Sequence, residues 1–124
     1  MDPNNTPPTA LDDGQLTREQ ALSALSAAAA AAASALSDAL LKCESRDDMR
    51  RVSDDRDTCQ LAYSSALVRS LKHTGPLFEK AAVDLEAAAA GVAQKAKSME
   101  TAAEAVGLFA DLVRLSSKLA LAFA

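Results

Sequence analysis

The sequence has little of what β-structure requires. Isoleucine is absent, valine occurs six times, and tyrosine and phenylalanine together occur four times. Strands favour β-branched and aromatic residues, whereas alanine and leucine, which favour helices, occur 29 and 17 times. Proline occurs only once after Pro8, at Pro76, and four glycines are too few to separate a series of short strands. The composition therefore predicts an all-α fold.

An excess of basic residues is also missing. The formal net charge is −4, and the arginines between Arg46 and Arg56 are interleaved with aspartates. Binding to duplex nucleic acid requires clustered lysine and arginine, and binding to single strands favours stacking aromatic side chains. Only Tyr63 and three phenylalanines are aromatic. The sequence therefore predicts no nucleic-acid partner.

Residue combinations that carry out catalysis or bind metal are missing as well. Histidine occurs once, at His73, and the two cysteines, Cys43 and Cys59, do not form a CxxC motif. A zinc site would lack ligands, and no Glu-x-x-His motif for a di-iron bundle occurs. The sequence therefore predicts a protein that is not an enzyme and that has no cofactor and no metal. His73 is interpreted as a capping residue at a helix C-terminus, where a cationic side chain complements the helix dipole.

A targeting or membrane-spanning segment is not evident in the sequence. The first charged residue is Asp2, and no basic region precedes an apolar one near the N-terminus. The longest uncharged stretch, Ala21–Ser37, is mostly alanine and contains four serines, whereas a spanning helix needs about 20 strongly apolar residues. We therefore expect a cytoplasmic protein without a membrane partner.

The chain divides into a short arm and one predicted domain. Residues 1–16 are rich in proline, asparagine and aspartate and lack an apolar period, so we expect a disordered N-terminal arm. Within this arm, Leu11 and Leu16 are the residues expected to touch the rest of the molecule. Residues 17–124 have the length of one domain and are predicted to form a single antiparallel helical bundle.

The first predicted helix covers about residues 17–43. Thr17 and Gln20 have the spacing of a capping box at its start. Apolar residues then recur at alternating steps of three and four, which is typical of nearly antiparallel bundle packing. These residues are Leu22, Leu25, Ala29, Ala32, Leu36, Ala39 and Cys43. The alanines in the middle of this stripe, Ala29 and Ala32, are predicted to let a partner helix approach closely.

A charged stretch follows, in which ten of the fourteen residues 44–57 carry charge. Continuing the first helix through this stretch would place charges in its apolar seam, so a turn is expected nearby. Ser45 and Asp48 have the spacing of an N-cap, which places the turn at Glu44–Ser45 and the second helix at about residues 46–73. The stretch itself is interpreted as a solvated helix surface with i,i+4 ion pairs.

The C-terminal half of the sequence allows two architectures. Gly75-Pro76 marks the end of the second helix, because glycine suits a helix C-cap and proline suits the first turn of the next helix. From there one apolar stripe is continuous, which is compatible with a helical hairpin plus one long C-terminal helix. Thr101 and Glu104 offer instead a second capping box. We favour the resulting four-helix bundle, with helices at about residues 76–97 and 101–123, because these lengths match the first two helices better.

The last predicted helix is apolar over most of its circumference. One bundle interior covers only one face of a helix, and two exposed apolar faces would form a patch larger than soluble monomers usually tolerate. We therefore predict a homodimer whose interface contains residues of both faces. These residues are Leu108, Phe109, Leu112, Leu115, Leu119 and Phe123.

Three classes of function are compatible with these features. The leading hypothesis is a non-enzymatic protein–protein interaction module, such as an adaptor, a chaperone or an immunity-type inhibitor, which self-associates and binds a protein of unknown identity. One alternative is a peripheral binder of lipid or of a granule surface through the amphipathic C-terminal helix, although such helices usually carry more lysine and arginine. The other is a bundle with an interior pocket for a small apolar ligand.

The position of the first turn predicts the state of the cysteines. A turn at Glu44–Ser45 separates Cys43 from Cys59 by about 18 Å along the bundle, at 1.5 Å per helical residue, which is far beyond disulfide reach. Thiol titration of the denatured, unreduced protein should therefore count both cysteines as free. A count of zero with a monomeric mass would mean an intramolecular bridge, and would move the turn to Val52–Ser53.

Overall fold

A computed structural model describes residues 14–124 of the chain as an all-α bundle of four helices. The helices are α1 (Arg18–Lys42), α2 (Arg46–Leu67), α3 (Pro76–Lys95) and α4 (Ala102–Ala120), and a short 3-10 helix (Ala96–Ser98) follows α3. The break after α3 confirms the four-helix architecture, so the alternative of one long C-terminal helix is wrong. Leu11 and the rest of residues 1–13 lie outside the described residues.

Three helices begin at the capping residues that the sequence predicts. Thr17 accepts a hydrogen bond from the backbone of Gln20 at 3.1 Å, and the Gln20 side chain accepts one from the backbone of Thr17 at 3.0 Å, which completes a capping box. Ser45 caps α2 by accepting from the backbone of Asp48, which confirms the turn at Glu44–Ser45. Thr101 caps α4 in the same way by accepting from the backbone N–H three residues later.

The second helix ends at Leu67 rather than near His73, because the following residues pair with the C-terminus. Ser70 and Ala124 exchange two backbone hydrogen bonds of 3.2 and 3.0 Å, and the Lys72 N–H donates to the Ala122 carbonyl at 2.7 Å. This pairing joins residues about fifty positions apart, so no local pattern in the sequence indicates it.

His73 therefore does not cap α2, and that prediction is wrong. Its backbone N–H donates to the Ala122 carbonyl at 3.0 Å, and its ring stacks on Phe78 with centroids 5.8 Å apart. The hydrogen-bond donor at the end of α2 is instead Arg18, at the start of α1. Its guanidinium donates to the Leu67 carbonyl at 2.9 Å. A charged donor on a carbonyl at the end of a helix satisfies a group that has no partner within the helix.

Part of the predicted disordered arm is held on the bundle. Leu16 is buried, as expected for one of the two leucines of the arm, and the Gln15 backbone N–H donates to the Glu79 carboxylate at 3.2 Å. A Cβ added to Gly14 would overlap the carbonyl oxygen of Thr74, so only glycine fits this approach between two backbone segments. The described residues before α1 are therefore part of the folded unit.

The helices are arranged as two antiparallel hairpins placed side by side. Helix α1 packs on α2 and α3, α4 packs on the same two helices, and α1 also contacts α4 across the centre. Within the described part of the chain, α2 and α3 do not touch. The starts of α1 and α3 lie together, as do their middles, so these two helices are parallel neighbours and the connection between α2 and α3 crosses one end of the bundle.

The core around α1 is made of small side chains. Of the nine buried residues of α1, eight are alanines, and the ninth is Leu25. Ala29 and Ala32 are both buried, as the apolar stripe predicts, whereas Ala33 is exposed and Ala27 is half-buried. Small side chains let helix axes approach closely, which allows α1 to contact three other helices at once. The largest side chains of the core come from other positions, among them Phe109, Leu85, Met99, Leu112 and Leu119.

Helix α1 is also the one described helix that is long and apolar enough to cross a membrane by length and composition alone. The central helix of a soluble bundle has the same two properties. In this fold 44% of the most apolar window of α1 is buried, and α1 contacts α2, α3 and α4.

Close packing around α1 predicts a position-specific response to added volume. Ala32→Leu should lower the free energy of unfolding by about 1–3 kcal/mol, because the added atoms overpack a fully buried site. Ala33→Leu, on the adjacent exposed position, should change it by no more than about 0.5 kcal/mol. Denaturant unfolding of the two variants measures the difference. Equal and negligible effects would show that the alanines of α1 are not in close contact with other helices.

Candidate interaction surface

The residues predicted as a dimer interface lie mostly inside the single chain. Five of the six are buried, and Leu108 is half-buried. The expectation that one apolar face of the last helix would stay exposed is therefore wrong. Helix α4 contacts the other three helices, so its apolar residues are covered from more than one side. The buried five are Phe109, Leu112, Leu115, Leu119 and Phe123.

The C-terminal residues complete this coverage. After α4 the chain turns back, and Leu71 and Phe123 form an isolated antiparallel bridge. Ala122 and Phe123 are buried by this turn, whereas Leu121 remains 69% exposed. The terminal apolar run therefore closes the core and does not form an external surface.

The polar groups of the core do not form a reactive site. Ser116 is the one buried polar side chain of the described residues, and its hydroxyl lies 3.9 Å from the Cys59 sulfur. Burial raises the pKa of the Cys59 thiol, and the negative charge of Asp55 raises it further, although the contact with Ser116 acts in the opposite direction. A thiol that stays protonated at neutral pH is a weak nucleophile. The pair is therefore best described as packing between α2 and α4.

Other ionisable groups are similarly dispersed. Burial and the charge of Asp54 raise the pKa of the Asp55 carboxyl, and burial raises the pKa of the second thiol, Cys43. Both cysteines are unbridged, in agreement with the turn at Glu44–Ser45. In the range 14–124, no group of three His, Cys, Asp or Glu side chains is placed to hold a metal ion.

The charged stretch at residues 44–57 forms the outer surface of α2. Its side chains are mostly exposed, and Arg56 and Asp57 form an ion pair at 2.7 Å. Exposed pairs of this kind contribute little to stability. The exposure agrees with the interpretation of this stretch as a solvated helix surface. The expected i,i+4 ion pairs are not formed among the described residues 44–57, where the one ion pair joins sequence neighbours.

An apolar groove runs along the outside of the bundle between α1 and α3. It consists of two adjacent clefts, of about 500 and 410 Å³, which have Glu86 as a common lining residue. We refer to it as the α1–α3 groove. The first cleft is lined by Leu16, Gln20, Pro76, Glu79, Lys80, Ala82, Val83 and Glu86, and the second by Ala27, Ala30, Ala31, Ser34, Glu86, Ala89, Ala90 and Ala93.

The wall that α1 contributes to this groove is uncharged and made mostly of small side chains, and the charged lining residues all come from α3. Helix α1 has no charged residue between Ala21 and Ser37, although several residues in this stretch are exposed. In the second cleft the one charged residue is Glu86, and every other lining residue is alanine or serine. At the edge of the first cleft Val83 is 63% exposed. Solvent-facing positions of a soluble helix usually carry charge, so this surface differs from the charged face of α2.

The groove follows from the way α1 and α3 pack. The two helices are in contact, and the buried residues are mostly alanine on α1 and include three alanines on α3. The alanines that line the second cleft are too short to fill the outer angle between the two helices. We interpreted the alanine run of α1 only as an internal seam. One signal in the sequence could have indicated the groove: an uncharged stretch of seventeen residues, Ala21–Ser37, covers all sides of a helix, including the side that faces solvent.

Comparisons with known proteins add no function to this geometry. Neither models of protein families, nor curated proteins, nor solved structures give a match to the chain. The α1–α3 groove is therefore assigned from the chemistry of its own residues.

Burial of the α4 residues predicts that truncating one of them destabilises the monomer. Leu119→Ala should lower the free energy of unfolding by about 2–5 kcal/mol, because the substitution leaves a cavity in the core. Leu121→Ala, the same substitution at an exposed position two residues away, should change it by no more than about 0.5 kcal/mol. Denaturant unfolding gives both values, and light scattering gives the mass. Unchanged stability of Leu119→Ala together with a smaller mass would instead support the interface predicted from the sequence.

Proposed function

We propose that this protein is a non-enzymatic protein–protein interaction module that binds through the α1–α3 groove. The observation that carries the proposal is a groove of two adjacent clefts, of which the second is lined by alanine and serine apart from Glu86, while the first also contains Glu79 and Lys80. The surface of the second cleft loses little side-chain entropy when it is covered, and Glu86 is the one strongly hydrated group there that has to be stripped of water.

A helix is the element that fits such a groove best. Side chains of one methyl group let a second helix approach closely, and larger side chains of the incoming helix can fill the space between α1 and α3. Helix-in-groove recognition uses anchors at positions i, i+3 or i+4, and i+7 of the bound helix. The two clefts together extend over about four turns of α1, from Gln20 to Ser34, which accommodates several such anchors.

The features that suggested the other two candidate functions do not support them in the folded chain. A lipid or granule binder was inferred from an apolar face of the last helix, and the residues of that face are buried. A ligand-binding bundle requires an interior pocket, whereas the two clefts are open to the surface. Neither function is therefore favoured over an interaction module.

Site-specific photo-crosslinking in living cells tests the proposal. A benzoylphenylalanine residue at Ala30 or at Ala90 should give discrete protein adducts, because both positions line the groove. The matched control is Ala33, which is exposed on the same helix and does not line the groove. Adducts from both groove positions and none from Ala33 are expected, whatever the mass of the captured protein. Absence of adducts at the groove positions, or equal adducts at Ala33, would contradict the proposal.

A further inference from the structure

We infer that one end of the bundle binds an anionic lipid surface. This end is formed by the starts of α1 and α3, the ends of α2 and α4, and residues 68–75 that connect α2 to α3, and we refer to it as the basic end. Backbone hydrogen bonds of residues 70–73 with Ala122 and Ala124 hold these parts together. None of the side chains that carry the inference lines the α1–α3 groove, so it goes beyond the proposed function and does not depend on it.

Charge of one sign distinguishes the basic end. Residues 58–78 and residues 112–124, which provide its α2, α4 and connecting parts, contain none of the 17 acidic side chains of the chain. They do contain Arg69, Lys72 and Lys118, which are exposed and form no ion pair with other described residues. A chain with a net charge of −4 therefore presents a cluster of positive charge at one place.

The nearest other charges leave this positive sign in place. The Arg18 guanidinium adds a further positive charge, since it donates to the carbonyls of Leu67 and Arg69 at 2.9 and 3.4 Å. Among the described residues, the acidic side chains nearest to this end are Glu19 and Glu79, in the first turns of α1 and α3. Four positive side chains are thus opposed by two negative ones, of which Glu79 faces the first cleft.

The opposite end of the bundle carries charges of both signs and lies too far away to cancel this cluster. There α2 begins with Arg46, Asp47 and Asp48, and the first turn of α4 contains Glu104. Helix α2, with 22 residues, separates the two ends by about 33 Å. Salt screens charges over about 8–10 Å at physiological ionic strength. An anionic surface at the basic end is therefore attracted by the nearby cations and hardly repelled by the distant carboxylates.

Large apolar side chains are exposed among these cations. Four of the eight large apolar side chains that are exposed in residues 14–124 lie at the basic end. These are Leu67, Val68, Leu77 and Leu121, with exposed fractions of 44, 84, 66 and 69%. They lie at the end of α2, the start of α3 and the end of α4, and α4 packs on the other two helices. Binding to a lipid interface strengthens with the apolar area inserted and with the attraction between basic side chains and anionic lipids, and the basic end supplies both.

The shape of this surface favours lipid over a protein partner. Val68, Leu77 and Leu121 lie at three different helix ends, and none of them lines either cleft. A specific protein interface needs a closely packed, complementary surface, whereas a fluid lipid interface admits separate side chains. The basic end also differs from the face of α4 whose sequence suggests lipid binding, because that face is buried.

Binding to vesicles tests the inference. The purified full chain should co-sediment with vesicles of phosphatidylcholine and phosphatidylglycerol but not with vesicles of phosphatidylcholine alone, and high salt should weaken the binding. Arg69→Glu/Lys72→Glu should lower the affinity by about tenfold or more, because each basic residue near an anionic surface contributes about fivefold. Leu121→Ser should lower it by about fivefold, because less apolar area is inserted.

Matched controls at the opposite end separate this surface from total charge and total hydrophobicity. Arg46→Glu/Arg50→Glu makes the same change in net charge at exposed positions of α2. Leu41→Ser removes a leucine that is 81% exposed at the end of α1. Both variants should bind the anionic vesicles as the wild type does. Circular dichroism verifies that every variant retains the fold.

The opposing outcomes are equally specific. No sedimentation with anionic vesicles, equal sedimentation with neutral ones, or an equal loss of affinity in the controls would overturn the inference. If benzoylphenylalanine at Leu121 then gives discrete protein adducts in cells, an acidic protein is the partner of the basic end instead of lipid. Crosslinking at Ala30 and Ala90 tests the α1–α3 groove separately, so the proposed function and this inference can fail independently of each other.

Discussion

The close approach of α1 to the three other helices is the contact on which the rest of the bundle depends. Eight buried alanines let the axis of α1 lie close to its neighbours, whereas α4 contacts the three other helices with large side chains. Most bulky core residues lie outside α1, above all in α4, and Leu25 is the one large side chain that α1 buries fully. The same small side chains continue onto the outer side of α1, where they form one wall of the α1–α3 groove. The same alanine-rich segment of α1 therefore contributes both to the core and to the wall of the groove.

Local features of the fold were predictable from the sequence because they depend on neighbouring residues. The caps at Thr17, Ser45 and Thr101 each need only a side chain and a backbone N–H three residues later. The end of α2 was not predictable, since it depends on backbone pairing between Ser70 and Ala124. The residues after Leu67 do not lack helical propensity. The helix ends there because distant segments of the chain pair with each other.

The candidate site was misplaced for a related reason. An apolar helix was correctly recognised at the C-terminus, but periodicity does not tell how many neighbours a helix has. Helix α4 has three neighbours and a returning C-terminal segment, which together cover the residues around Phe109 and Leu119. The exposed surface with little charge lies between α1 and α3. Alanines occur on all sides of α1, and those on its outer side are exposed there. The order of the helices around the bundle decides which apolar face is free, and this order is a long-range property.

Native-state hydrogen exchange tests the central position of α1 most directly. The backbone amides from Ala24 to Ala35 should exchange only through global unfolding, with a protection free energy equal to the free energy of unfolding measured with denaturant. This result is expected because most of these residues are buried and α1 contacts all three other helices, so the segment cannot open without separating them. Exchange of the same amides at the rate of fraying helix ends, while α3 and α4 stay protected, would show that α1 is peripheral and would contradict this account.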